Sequence, residues 1–388
     1  MRIAIITENF LPKLDGVTRT LAMLLEHLQR QGHKALILGP ESGMDQYAGA
    51  EVVGTFGLPI PVYPELKLNF FRPLFIRRLQ AFQPDIIHLV DPAFLGAVGI
   101  AVANLLKKPI ISSYHTNLAA YCRYFGAPFL TKPMWKYNRF LHNKCSLTFC
   151  PSPSTARILL AQGFQHVRIW PRGVDTSLFH PQRSSSALRR LWLKGASPME
   201  KTIILYVGRV SWEKNLRLLV NTYRHMDHLR CHLVIVGNGP ASTEMQRELA
   251  HLPVTFTGYL RGEALATTYA SADVFAFPSL TETFGQVVLE AMASGLPVVG
   301  LLSEGVCDLI KHEHTGYLLN SDGLSEAEQV ANYRQYLTRL IDNPAKRTVM
   351  GQQASKEAQQ RSWYAAMESL VRGYEEVSKT NNISAAAS

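Results

Sequence analysis

The sequence is poor in the cysteine patterns that hold small secreted or metal-bound domains together. Its five cysteines, Cys122, Cys145, Cys150, Cys231 and Cys307, are odd in number and form no C-x-x-C pair. This argues against a disulfide framework or a zinc site and suits a reducing cytoplasm. Long hydrophobic runs are also missing. The longest, Ala93 to Leu106, covers 14 residues and includes Asn104. It is too short to span a bilayer and reads as a buried helix after the start signal Asp91-Pro92. The opening run MRIAIITENF is broken by Glu8 and has no basic region ahead of a longer apolar stretch, so a buried first strand is expected rather than a signal peptide. No G-x-G-x-x-G fingerprint follows a first strand in either half, which removes what a nicotinamide dehydrogenase needs. No motif that reads RNA or DNA is present.

What is there fits two globular domains. A chain of 388 residues exceeds one ordinary domain and accommodates two of about 150–200 residues. The hydrophobic content of 47% against 18% charged residues lets each bury a core. The charge is uneven. Residues 1–180 hold 19 Lys and Arg against 10 Asp and Glu, whereas residues 181–388 hold 21 against 20. The N-terminal half is therefore expected to meet something anionic, such as a membrane surface, an acidic acceptor or nucleic acid; a generally basic proteome is the plain alternative. Within that half, residues 64–82 mix Phe70, Phe71, Phe75 and Ile76 with Lys67, Arg72, Arg77 and Arg78. The segment reads either as an amphipathic surface for anionic lipid or as an ordinary helix with a solvated basic face.

Short apolar runs alternate with helical patterns: IAIIT, KALILG, PDIIHLV, PIISSYH and LTFCPS in the first half, then TIILYVG, HLVIVGNG, VTFTGYL, ADVFAFPS and PVVG in the second. This is the grammar of βαβ units, and it predicts an α/β fold with two parallel doubly wound sheets. The Ser-, Arg- and Pro-rich stretch 180–201 lacks strand periodicity, which places the join between domains 1–185 and 186–388. Open parallel sheets bind ligands beyond the carboxyl ends of their strands, so chemistry is sought just after strands.

After the first strand, Asp15-Gly16-Val17 opens a helix, where Gly16 would let backbone approach a phosphate; a lone turn glycine is the plain reading. After TIILYV comes GRVSWEKN, with Arg209 and Lys214 at a helix start. Cations have no dipole rationale there, but they would suit a bound diphosphate; otherwise they are a solvated pair. The segment PSLTETFGQVVLEAMASGLPVVG is the most informative. Glu282 sits in a loop, and Glu290 lies eight positions later among Val287, Val288, Leu289, Ala291 and Met292. A carboxylate in so apolar a helix needs a partner, and ribose hydroxyls would serve. The helix start around Thr283 to Gln286 would hold phosphate, and Glu282 would face a transferred group. Two glutamates that only cap and solvate a helix are the alternative. His225, His228 and His232 cannot share one helical face, because His232 opens a strand; no metal site is expected.

The E-x7-E pair, GRVSWEKN, the VGNGP turn and RGVDTSLFHP together resemble family 4 of the retaining glycosyltransferases, of GT-B fold, over nearly the whole chain. SSYHTNLAAYCRYFG and HVRIWPRGVDTSLFHP are similar to two lipid-modifying branches, the diacylglycerol sulfoquinovosyltransferases and the GDP-mannose-dependent α-mannosyltransferases acting on glucuronosyl diacylglycerol. The resemblance implies two Rossmann-like domains facing across a cleft, with the acceptor on the N-terminal one and a nucleotide sugar on the C-terminal one. The last helix would pack back on the N-terminal domain. Arg209 and Lys214 would neutralise the diphosphate leaving group in place of a metal, with no other cofactor, and Glu290 would hold the ribose. Glu282, with the backbone of Phe284 and Gly285, would orient the sugar, and His115 would lie near the reacting centre. The base would sit near Gly237–Gly239 and Gly258, Tyr259 and Leu260. Many relatives carry Gly-Gly where this chain has Asp15-Gly16, which leaves the glycine role to Gly16. The implied reaction is hexose transfer with an α-linkage to a lipid-linked or small hydroxylated acceptor, with same-face attack retaining configuration. The implied location is the cytoplasm, at the membrane face through the basic N-terminal domain. A soluble glycan or natural product as acceptor, and a basic nucleic-acid- or membrane-binding protein without transferase activity, are the alternatives; loss of Glu282 or Lys214 would mark a binding-only relative, and both are present.

Overall fold

Runs of Ile, Val and Leu that are apolar at every position belong in strands covered on both faces. The computed structural model, which describes residues 1–12, 16–60, 63–124, 126–194 and 201–386, has them there. Strand β1 (Arg2–Thr7) is buried from Ile3 onward. Helix α1 (Gly16–Arg30) leads to β2 (Lys34–Pro40), which pairs in parallel with β1, Ile5 opposite Ile37. Strand β3 (Gln46–Tyr47) turns antiparallel to β4 (Ala50–Thr55), and β5 (Gly57–Ile60) and β6 (Tyr63–Asn69) form a separate ribbon. Then come α2 (Pro73–Phe82), β7 (Ile86–Val90), α3 (Phe94–Leu105), β8 (Ile110–Ser113), α4 (Leu118–Tyr124), α5 (Thr131–His142), β9 (Leu147–Cys150), α6 (Pro153–Ala161) and β10 (Val167–Ile169). The sheet order is β10-β9-β8-β7-β1-β2-β4-β3.

The second half repeats the scheme: α7 (Ser186–Trp192), β11 (Thr202–Val207), α8 (Leu216–Arg224), β12 (Cys231–Val236), α9 (Ser242–Glu248), β13 (Val254–Gly258), α10 (Gly262–Ala270), β14 (Val274–Phe277), α11 (Gln286–Ala293), β15 (Val298–Leu301) and β16 (Gly316–Leu319). Helices α12 (Glu326–Asp342), α13 (Pro344–Gln359) and α14 (Trp363–Ala386) complete the chain. The second sheet runs β13-β12-β11-β14-β15-β16, all parallel.

Both sheets reverse winding direction once. In the first, the chain moves outward from β1 to β2 and then returns to β7 on the other side; in the second the same happens between β11 and β14. Loops after the two strands flanking such a reversal splay apart and leave a crevice.

The chain divides into Met1–Arg172 with Trp363–Ser388, and Gly173–Ser362. The division falls at 172/173, where the sequence suggested 185/186. Residues after 172 are held by the second unit: the Val174 amide donates to Arg361 O, the Gln286 side chain donates to Gly173 O, and Phe179 packs on Tyr269. The stretch 186–194 also belongs there, with Arg189 2.9 Å from Asp273. Helix α14 counts with the first unit, where Trp363, Met367, Leu370, Val371 and Tyr374 join Leu21, Leu25 and Leu28 of α1 in one core.

The segment 64–82 divides between β6 and α2. In α2, Phe75 and Leu79 are buried, and Ile76, with Phe71 just ahead of the helix, packs against the same core. Arg78 lies 3.4 Å from Glu51. The apolar side of this helix is therefore an ordinary core face. His225, His228 and His232 each meet a separate partner, Asn221 O, Tyr223 O and the Thr255 hydroxyl.

Candidate active site

At the reversal in the second unit, the loop after β11 carries Arg209 and Lys214 and the loop after β14 carries Glu282. The Lys214 ammonium lies 2.6 Å from a Glu282 carboxylate oxygen and 3.3 Å from the Thr281 hydroxyl. Ser279 donates to the same Glu282 oxygen at 3.1 Å. Arg209 lies 3.9 Å from Glu213. The hydroxyl of Tyr206, at the end of β11, donates to Arg209 O at 2.9 Å and fixes the loop from below. Lys214 closes a single 3-10 turn, and Asn215 then takes a left-handed conformation before α8 begins. The two cations are thus drawn together with carboxylates at the crevice rather than solvated on a helix. Side-chain exposures of 28% for Arg209, 16% for Lys214 and 21% for Glu282 leave each open to a ligand on one side.

Glu290 is 1% exposed inside α11. The Tyr269 hydroxyl donates to it at 3.3 Å, so the carboxylate that the sequence marks as costly has at least that partner. Helix α11 starts at Gln286 after Gly285, whose φ of 90° is a left-handed conformation open to glycine. Phe284 is buried, and Thr283 joins it in a loop pressed against Gly305. A Cβ at Gly305 would stand 2.4 Å from the Phe284 nitrogen, so only glycine lets these strands of backbone meet.

Gly237 and Gly239 bring the loop after β12 onto the loop after β11. A Cβ at Gly237 would lie 1.9 Å from Gly208 O, and the Gly237 amide donates to Gly258 O at 2.8 Å. Gly237 and Gly258 are therefore joined beside the Arg209 loop. Tyr259 is exposed, with Arg261 stacked 4.8 Å over its ring, and Leu260 packs half-buried on the core.

His115 belongs to the first unit, just after β8. Its backbone amide donates to Asp91 at 2.6 Å, and Thr116 donates to the same carboxylate through amide and hydroxyl. Asp91, with φ of 46°, turns left-handed to receive them. The sequence read Asp91-Pro92 as a helix start, but α3 is capped by another acid: Glu8 accepts from the amides of Ala93, Leu95 and Gly96. Burial raises the Glu8 carboxyl, opposed by these hydrogen bonds.

The His115 ring is enclosed. Arg172 donates to Nδ1 at 2.8 Å, so Nδ1 holds the lone pair and Nε2 the proton. Nε2 donates to Ser113 Oγ at 2.8 Å; Ser113 passes its own proton towards His88 Nε2 at 2.8 Å, and His88 Nδ1 donates to the Tyr374 hydroxyl at 2.7 Å. Burial pushes His88 down to about 3, with Arg172 adding to it. Burial likewise holds His115 well below its ordinary value, with Arg172, His88 and His142 reinforcing it. A hydrogen bond from this ring to a ligand requires exchange of one of these partners. Gly16 begins α1, and a Cβ there would meet nothing among the described residues within 4 Å, so packing alone does not demand glycine. Asp15 lies outside the described residues.

Sequence reasoning passed over Ser279, Thr281, Glu213 and Gly305 in the second unit and Ser113, His88 and Arg172 in the first. Ser279 and Thr281 were within the PSLTE segment already singled out. Glu213 lies within GRVSWEKN, His88 within PDIIHLV, Ser113 within PIISSYH and Arg172 within HVRIWPRGVDTSLFHP, segments marked for other residues, and Gly305 alone lies outside every marked segment.

The chain matches Glycosyltransferase Family 4 over residues 14–178 and Glycosyl transferases group 1 over residues 193–357. It is 36% identical over 393 residues to a GDP-mannose-dependent alpha-mannosyltransferase of Mycolicibacterium smegmatis, covering 100% of both chains. It is 30% identical to an alpha-monoglucosyldiacylglycerol synthase of Streptococcus pneumoniae, over 82% of this chain and 75% of that one. In fold it is similar to sucrose-phosphate synthase from Thermosynechococcus elongatus, with a TM-score of 0.78, 20% identity and coverage of 97% and 98%. The chain therefore belongs to glycosyltransferase family 4 and is a hexosyltransferase of GT-B fold, built from two Rossmann-like domains.

Proposed function

We propose that the enzyme transfers mannose from GDP-mannose to a glycosyl diacylglycerol, forming an α-linkage with retention. The observation that carries this is the Lys214–Glu282 pair at the reversal of the second sheet, where a cation and a carboxylate share a crevice open to solvent. A diphosphate entering there would draw Arg209 and Lys214 from Glu213 and Glu282. It would also free Glu282, with the backbone at Phe284 and Gly285, to accept from sugar hydroxyls. Two fixed cations would stabilise the departing diphosphate, so no divalent metal is required. Glu290 would accept from the ribose, and the glycine-lined loops at Gly237 and Gly258, with Tyr259 and Leu260, would hold the base. Backbone amides from Thr283 to Gln286 would meet phosphate oxygens. The acceptor hydroxyl would attack on the face from which the diphosphate leaves, a diphosphate oxygen taking its proton.

The mannosyl donor is favoured by the full-length likeness to a protein named for GDP-mannose, and the lipid acceptor by the likeness to a diacylglycerol glycosyl synthase. Among the described residues no helix is long and apolar enough to cross a membrane; an odd number of cysteines without a C-x-x-C pair favours the cytoplasmic side of that membrane. The test is calorimetry with GDP, UDP and ADP and their sugar conjugates, followed by turnover on glucuronosyl diacylglycerol in EDTA. Binding of UDP forms alone would replace the donor. Turnover that needs magnesium would overturn metal independence, and no nucleotide binding would overturn the reading itself.

A further inference from the structure

From Pro92 to Val174 the chain contains no Asp or Glu but ten Lys and Arg. Nearly half of the first unit is thus cationic without internal compensation. Two neighbouring helices in this stretch, α3 and α5, carry apolar side chains on their solvent sides. On α3, Phe94, Val98, Ala101 and Leu105 are exposed at helical spacing, with Phe94 at 47%, Val98 at 42% and Leu105 at 72%. Phe129 and Leu130, just before α5, are 75% and 42% exposed, and Tyr137 and Phe140 on α5 are 37% and 60%. Exposed Lys132, Lys136 and Lys144 flank them, and the Lys144 ammonium sits 5.5 Å over the Phe140 ring. The helices are joined directly: the Tyr137 hydroxyl donates to Ala93 O at 2.7 Å, at the start of α3.

Single exposed apolar residues need no explanation, but aligned ones on adjacent helices do. Core packing does not account for them, because each helix already buries its other side, Leu95, Ile100 and Ala103 from α3 and Leu141 from α5. A second copy of the chain is a poor occupant, since a two-fold pairing would set lysines against lysines. A nucleic acid would satisfy the lysines but leave Val98, Ala101, Leu105 and Leu130 in water. A surface that is anionic at its headgroups and apolar just beneath matches both features.

We infer that the solvent face of α3 and α5 docks the enzyme on an anionic lipid bilayer, with Phe129, Phe140, Phe94 and Leu105 entering the headgroup boundary and Lys132, Lys136 and Lys144 meeting lipid phosphates. The inference deepens the lipid-acceptor reading and rests on it for its purpose. It moves the membrane contact away from α2, whose apolar side is core.

Flotation of the full chain with vesicles of phosphatidylcholine, alone or mixed with phosphatidylglycerol, tests it. Recovery is expected only with the anionic vesicles and is expected to fall as salt rises. The double variant Phe129→Ser/Phe140→Ser and the triple variant Lys132→Gln/Lys136→Gln/Lys144→Gln should each lower bound protein about fivefold or more, while Phe56→Ser, exposed on another part of the unit, leaves it unchanged. Circular dichroism checks that each variant is folded, and turnover on a short-chain water-soluble acceptor should be retained by all of them. Undiminished binding by both multiple variants, equal recovery on neutral vesicles, or no recovery at all would overturn the docking face, even if lipid turnover stands. Loss of flotation in the variants as expected, with no turnover on any glycolipid by the wild type, would uphold the docking face and defeat the acceptor reading instead.

Discussion

The two crevices differ in how their ionisable groups are held. In the first unit His88, His115 and Arg172 are 0%, 7% and 6% exposed; Ser113 links the two histidines, and Arg172 donates directly to His115. In the second, Arg209, Lys214 and Glu282 keep an open side, and each cation lies against a carboxylate that an anion could replace. Polar groups buried without water must be satisfied when the protein folds, whereas half-open ones can change partners afterwards. The first crevice is therefore a set of histidines held neutral by burial, and the second holds the ion pairs that the proposed diphosphate would rearrange.

Acid is expected to separate them most. His88 and His142 are lowered to about 3 and His115 well below its ordinary value, whereas the second unit holds one such group, His232, at about 4. A histidine whose folded value is depressed stays neutral in the native state, while the unfolded chain takes up protons below about 6.5. Stability is full above that value and is lost as pH falls towards the folded ones. At pH 5 His88 and His142 should each cost about 2 kcal/mol, roughly 4 for the two, and the lowered His115 adds in the same direction. Hydrogen exchange at pH 7 and 5, corrected for intrinsic rates, should show β7 and β8 losing more protection than β11 and β12. Equal losses would break the comparison.

Lys214→Ala is expected to be the next largest effect, and it falls on chemistry. Under the proposed role of Lys214 at the leaving group, removing its charge should lower turnover by about 10²–10³. The pair with Glu282 is partly exposed, so the melting temperature should shift by only a few degrees. Normal turnover in the folded variant would take the lysine out of the reaction.

This pair also shows what was legible in the sequence. Arg209, Lys214 and Glu282 were each visible because they follow strands, and Glu290 because it interrupts an apolar helix. Their meeting was not, since Lys214 and Glu282 stand 68 residues apart and are joined only by the winding reversal between β11 and β14. The alternation of strands and helices was readable for the same reason that strands were: buried parallel strands are apolar at every position. Strands β3 to β6 carry no such pattern: β3 is two residues long, Gly falls in β4 and β5, and Pro in β5 and β6. The segment 64–82 stayed open between two readings because a basic helix with phenylalanines looks alike whether its apolar side meets lipid or core, and α2 takes the second. The boundary misled because residues after 172 have no composition of their own; they join the second unit through backbone hydrogen bonds.

Glu290→Gln should act more modestly, weakening donor binding about tenfold with little change in maximal rate, because a neutral amide of the same shape accepts less strongly from hydroxyls. Calorimetry with the nucleotide diphosphate checks it. Unchanged affinity would remove the ribose role and leave Glu290 as a buried partner of Tyr269.

Tyr374→Phe should have the smallest effect, and it tests the buried histidines themselves. Helix α14 returns to the first unit and places this hydroxyl 2.7 Å from His88 Nδ1. Its removal leaves one buried donor without its acceptor, a cost of about 1 kcal/mol. Because His115 keeps Arg172 and Ser113, turnover should stay within about twofold. Nitrogen-15 NMR of the histidine rings should show a protonated Nδ1 on His88 and a bare Nδ1 on His115 in the wild type, with only His88 changing in the variant. A change at His115 as well would mean that the chain from Tyr374 to Arg172 responds as one unit, so that the last helix of the protein sets the state of a ring 259 residues earlier in sequence.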